Sequence, residues 1–220
     1  MKIFLPAVTI SLLALLSSCG NNGDKTPADS MKKDSVTTTQ VPFLEDLLKI
    51  KDEKELIAQF GAGNVKTDTM WGPEGDFGFA TYVNKGTPDE LQITWKDSAT
   101  RSGIEGISVY AYFGNDKRSF GSKWRSKTGI HLGMSTDSLA ILNGHSFMFS
   151  GVGWDYGGGI TDWEKGKFEG IKLGIQLDAD YDAQPNDKDI ENVSGDQDVS
   201  SENPSVKAVA MKVVAISVYP

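Results

Sequence analysis

Asp52 and Ser135 each open a short apolar stripe that ends in glycine, and this repeated pattern limits the chain to helices too short to stand alone. In the first, Asp52-Glu53-Lys54-Glu55 has the form of a capping box, Leu56, Ile57 and Phe60 form the apolar side, and Gly61 is the stop. In the second, Ser135 accepts from the free amides of the first turn, Asp137 sits near the positive end, and Asn143-Gly144 lets the chain leave the helix. Met134, Leu139 and Leu142 supply its stripe. Helices of about two turns are marginal in water, so each needs a sheet to lean on. Sliding the chain by 83 residues aligns Asp52 with Ser135, Leu56 with Leu139, Gly61 with Gly144, Trp71 with Trp154 and Gly75 with Gly158. The expectation is an α+β fold, with short helices on an antiparallel or mixed sheet and two related helix-plus-sheet modules, 41–113 and 129–220.

The strands follow from alternation. Gly78 to Val83 and Glu90 to Lys96 flank a turn, with Leu91, Ile93 and Trp95 on one face. Ile107 to Phe113 places Val109, Ala111 and Phe113 opposite Tyr110 and Tyr112. Ile171 to Leu177 has four aliphatic residues on one face, and Ala210 to Val218 closes the domain as a buried strand. A helix is expected from Phe43 through Ile50.

The first nineteen residues carry an address. Lys2 is a positive n-region, Ile3 to Leu16 is an apolar run too short to span a membrane comfortably, and Leu16-Ser17-Ser18 precedes the only cysteine, Cys19. Leu16-Ser17-Ser18-Cys19 resembles the bacterial lipoprotein signal. The resemblance implies cleavage after residue 18, lipid on Cys19, a membrane partner through that lipid alone, and residence in the cell envelope; Gly20 fits passage to an outer membrane. Residues 19–40 are polar with nearly balanced charges and form the expected tether, followed by a globular domain from 41 to 220.

The candidate recognition residues lie after the second helix. Gly157-Gly158-Gly159 follows Trp154, Asp155 and Tyr156, without the spacing of a phosphate loop. Two readings stand for this turn. Its aromatics pack on the sheet, or Trp154 and Tyr156, aided by Asp155 and Trp163, form an exposed surface for a protein or a glycan. His131 and His145 lack a nucleophile-base-orienter pattern, and no catalytic residue or cofactor is assigned. The cations of 114–128, with Phe120 and Trp124, invite a nucleic-acid reading, but a net charge of −8 and the exported address oppose it.

Asp178, Asp180, Asp182, Asn186 and Asp189 resemble a calcium loop only superficially, since Ala183 stands where the bend needs glycine and Asp189 where a bidentate glutamate belongs. From Asp178 to Glu202 nine acids face one lysine, which favours a solvated acidic insertion over 178–204.

Finally, the run from Gly133-Met134-Ser135 to Asn143-Gly144, with Trp154-Asp155-Tyr156 and Trp163 to Lys167, resembles an uncharacterised family of bacterial exported lipoproteins. More distantly it is similar to the tandem modules of small outer-membrane assembly lipoproteins and of the beta-lactamase-inhibitor-like fold. That resemblance implies noncatalytic recognition of an envelope protein by a sheet surface.

Overall fold

The computed structural model describes residues 43–220. The signal segment 1–18, Cys19, the tether and the first residues of the globular domain lie outside the described residues.

The fold is α+β, with short helices on antiparallel sheets. The first half runs α1 (Leu44–Leu47), α2 (Glu53–Phe60), β1 (Val65–Trp71), β2 (Phe77–Val83), β3 (Leu91–Asp97) and β4 (Ser102–Tyr110). A hairpin of β5 (Tyr112–Gly114) and β6 (Lys117–Ser119) leads to the second half. There α3 (Thr136–Asn143) precedes β7 (Met148–Ser150), β8 (Ile160–Asp162) and β9 (Leu173–Asp178). Next come α4 (Asp187–Glu191), β10 (Asp198–Ser200), α5 (Pro204–Ala208) and β11 (Lys212–Val218).

The main sheet has the order β1-β2-β3-β4-β11-β9, and a smaller one the order β10-β7-β8. An antiparallel bridge between Gly159 and Gln176 joins the two at β8 and β9. Taken from the centre outward, each half is the same antiparallel meander: β4-β3-β2-β1 on one side, β11-β9-β8-β7 on the other. The helices repeat as well. The cap residue Asp52 bridges Ser102 at the start of β4, and Ser135 bridges Lys212 at the start of β11. Lys51 O accepts from Gly103 N at 2.8 Å, and Met134 O accepts from Val213 N at 2.9 Å.

A short repeat marks the join. Ile107-Ser108-Val109-Tyr110 ends β4, and the same four residues recur as Ile216-Ser217-Val218-Tyr219 through the end of β11. The two strands pair antiparallel with Ser108 opposite Ser217, Ile107 opposite Val218 and Val109 opposite Ile216. The serine Oγ atoms lie 2.7 Å apart. An approximate two-fold axis therefore passes between the serines. The isoleucines and valines face the core, and the serines and tyrosines face away from it.

One apolar core spans both halves, with Leu44, Leu47 and Leu56 from the first helices, Leu139 from α3, and Ile93, Ile107, Val109, Ile175 and Ile216 from the sheet, all buried. Asp52 accepts from Glu55 N, and Ser135 from Ser138 N, as their capping positions require.

Several sequence expectations shift. The Phe43–Ile50 helix is a single turn, because Asp52 must be extended to cap α2. The strand from Ile107 stops at Tyr110. Ala111 donates to Val214 O, the bulged residue of β11, and the chain enters a hairpin whose tip, Asn115-Asp116, has positive φ at both residues. Phe113 is exposed as a result, not inward. Ile171 precedes β9 and is exposed. The acidic stretch is no solvated loop: it folds into α4, β10 and α5 and sends Val193, Val199, Val206 and Val209 into the core. Six of its nine carboxylates, Asp182, Asp187, Glu191, Asp196, Asp198 and Glu202, are exposed, while Asp178, Asp180 and Asp189 are half-buried.

Candidate functional site

The turn between β7 and β8 is built by close backbone packing. A Cβ on Gly151 would lie 2.5 Å from Gly195 O, and one on Gly158, where φ is +78°, would lie 2.0 Å from Leu177 O. Only glycine lets this turn lie against β9 and the insertion. Trp154 Nε1 donates to Gly151 O at 2.7 Å, Ser150 Oγ donates to Tyr156 O at 3.0 Å, and the two rings meet edge to face at 5.5 Å. Fixed in this way, Trp154 remains 38 % exposed and Tyr156 52 %.

The equivalent turn of the first half joins β1 and β2, and the two turns touch. Asp155 Oδ2 accepts from Glu74 N at 2.8 Å, and Tyr156 Oη lies 3.3 Å from Glu74 Oε1. Hairpins this far apart in strand order meet only because the sheet curls. Beside Glu74, Trp71 and Phe77 form a cross-strand pair with ring centroids 5.9 Å apart, and Phe79 follows on the same face. These three rings are 73, 68 and 64 % exposed.

Of the expected recognition residues, Trp154, Asp155 and Tyr156 thus share one turn. Trp163 is placed elsewhere: it is partly buried, packs on Phe147 at 5.6 Å and Phe168 at 5.2 Å, and its carbonyl accepts from buried Asn143. Trp71, Phe77 and Phe79 were not anticipated, although Trp71 aligns with Trp154 in the 83-residue offset.

A cleft of about 500 Å³ opens beside Trp154, between its turn, the β5–β6 hairpin and the first residues of the insertion. Tyr110, Phe113 and Tyr181 bring further rings to it, and Arg118 and Gln176 bring polar groups. Arg118 pairs with Asp178 at 2.6 Å and also donates to Ala179 O at 3.0 Å. Gln176 Nε2 donates to Gly157 O at 2.9 Å. Burial raises the pKa of the Tyr110 phenol, and burial together with Asp178 raises that of Tyr181. Both hydroxyls are therefore protonated and able to donate at neutral pH.

The five residues of the calcium reading do not converge on one point. Asp178 holds Arg118, Asp180 pairs with Lys212 at 2.6 Å, and Asn186 caps α4 through Asp189 N. Asp189 accepts from Ser205 Oγ, and its pKa is lowered by the hydrogen bonds from Ser205 and Asn186. Asp182 is exposed. Among the described residues no three metal-binding side chains converge. Three of the five cations of 114–128 are drawn into the domain's own ion pairs, Arg118 with Asp178, Lys123 with Asp89 at 3.2 Å and Lys127 with Asp46 at 2.6 Å. His131 Nδ1 lies 2.9 Å from Leu132 O at the end of an isolated bridge.

Comparison of the chain with protein-family models, with curated proteins and with solved structures returns no match.

Proposed function

We propose that this protein is a noncatalytic lipoprotein of the bacterial envelope, held by lipid on Cys19, that recognises another envelope protein in an assembly or inhibitory role. The observation that carries this reading is the exposed ladder of Trp71, Phe77 and Phe79, continued across the Glu74–Asp155 contact by Trp154 and Tyr156. Aromatic rings this open to water lower solubility unless a partner covers them, and rigid aromatics dominate the energy of protein interfaces. The lipid confines the search for that partner to the membrane surface, and the polar tether gives reach.

A photo-crosslinking residue at Phe79, in cells exporting the chain with its own signal, is expected to join one discrete protein. The same residue at Ile141, an exposed apolar position on α3, is expected to join none. Trp71→Ala is expected to abolish the Phe79 adduct; adducts of equal yield at both positions would refute the docking surface. Intact-mass analysis of the exported protein is expected to find acylated Cys19 as the first residue, and an unmodified chain starting elsewhere would remove the anchor.

A further inference from the structure

The cleft beside Trp154 differs in kind from the hairpin ladder. The ladder is built from three neighbouring rings on two strands, whereas the cleft gathers rings from four separate segments: Tyr110 at the end of β4, Phe113 on β5, Trp154, and Tyr181 at the start of the insertion. All four are substantially exposed. Nothing in core packing requires rings from four segments to converge on water, and a volume of about 500 Å³ lies within the range of small-ligand sites.

The polar groups select among occupants. Arg118 and Asp178 neutralise each other at 2.6 Å, and Asp155 is engaged by Glu74 N. An anionic ligand would face Asp178 and Asp155, and a cationic one Arg118; Asp155, the one lining carboxylate outside the ion pair, already accepts from Glu74 N. What the cleft offers is ring faces bordered by phenol hydroxyls, an amide and an internally balanced ion pair. Ring faces suit the flat C–H side of a pyranose, and the hydroxyl, amide and guanidinium groups suit its hydroxyls.

We propose that this cleft binds a neutral oligosaccharide, with sugar rings stacked on Tyr181, Phe113 and Trp154 and hydroxyls bonded to Gln176 and Arg118. The site stands apart from the protein-docking ladder except at Trp154 and Asp155, which border both.

The test is saturation-transfer NMR on the exported full chain with three neutral probes: cellohexaose, maltohexaose and N-acetylchitohexaose. At least one is expected to receive saturation at its ring protons, with hexalysine and polygalacturonate receiving none. Phe113→Ala and Tyr181→Ala, both at exposed rings and so expected to leave the melting temperature unchanged, should each weaken binding by up to about tenfold. Phe113→Tyr should restore it, because the stacking face is kept. The proposal is overturned if none of the three saccharides binds, if hexalysine binds in their place, or if affinity is unchanged in the Phe113→Ala/Tyr181→Ala variant. Loss of the Phe79 crosslink leaves all of these outcomes readable, since neither Phe113 nor Tyr181 belongs to the ladder.

Discussion

Asn143→Ala is expected to cost about 3 kcal/mol. Asn143 is fully buried at the end of α3. Its Nδ2 lies 2.9 Å from Trp163 O, 3.2 Å from His145 O and 3.4 Å from Ser146 O, and its Oδ1 accepts from Phe168 N at 3.2 Å. Alanine would leave that amide and those carbonyls without a partner in a dry site, where each orphaned group costs about 1–3 kcal/mol. For a domain of this size the melting temperature should fall by about 6–12 °C. Ser135→Ala, which removes only an exposed cap, should cost about 1 kcal/mol.

A second variant checks the cause. A Cβ on Gly166 would lie 2.1 Å from Asn143 Nδ2, so Gly166→Ala should also be severe. In the double variant the methyl occupies space vacated by the amide, and the two losses should sum to less than their separate values. Urea unfolding of the four proteins measures this. A loss below about 1 kcal/mol for Asn143→Ala, or strict additivity, would show that Asn143 is not the hub joining α3 to the turn after β8.

How far the sequence foretold this arrangement depended on which force set each feature. Caps are local chemistry, so Asp52, Ser135 and their stop glycines were legible, as was the 83-residue offset between them. The closing strands obey a different offset, since Ile107 and Ile216 are 109 residues apart, and the excess is the insertion between β9 and β11. A search at one fixed offset therefore passes over the Ile-Ser-Val-Tyr repeat that marks the two-fold axis.

The exposed ladder was harder to see. Phe77, Phe79, Thr81 and Val83 alternate along β2, which in sequence marks one inward face. Yet α2 has eight residues and reaches about 12 Å, whereas a seven-residue strand runs about 23 Å. The helix covers Val83 and leaves Phe77 and Phe79 bare. Alternation tells which residues share a face; only the length of the covering element tells where burial ends. The cleft was illegible for a related reason, because Tyr110, Phe113, Trp154 and Tyr181 come together through tertiary contacts between segments far apart in the chain.

Excising the insertion should be far more damaging than its charge suggests. Asp178 and Lys212 are direct partners across β9 and β11, so residues 179–211 can be replaced by the four residues, 98–101, that join β3 to β4 in the first half. The backbone closure is feasible; the packing is not. Val199 lies opposite Phe149 in the small sheet, Val152 bridges Ser194, and Phe147 N donates to Ser201 Oγ at 3.0 Å. The insertion's own burial is largely offset by the entropy of ordering it, so the residual loss is the cover it gives to Phe147, Phe149 and Val152. At about 1.5–3 kcal/mol for each side chain, that loss is roughly 5–9 kcal/mol, comparable with the whole stability of many domains. Asp182→Asn, Asp196→Asn and Glu202→Gln combined, all at exposed acids, should change stability by less than about 1 kcal/mol. Calorimetry and hydrogen exchange should thus show a near-parental melt for the neutralised chain and, for the excised chain, lost protection throughout α3, β7 and β8. A cooperative melt close to the parent after excision would mean that the acidic segment rests on the second half without supporting it.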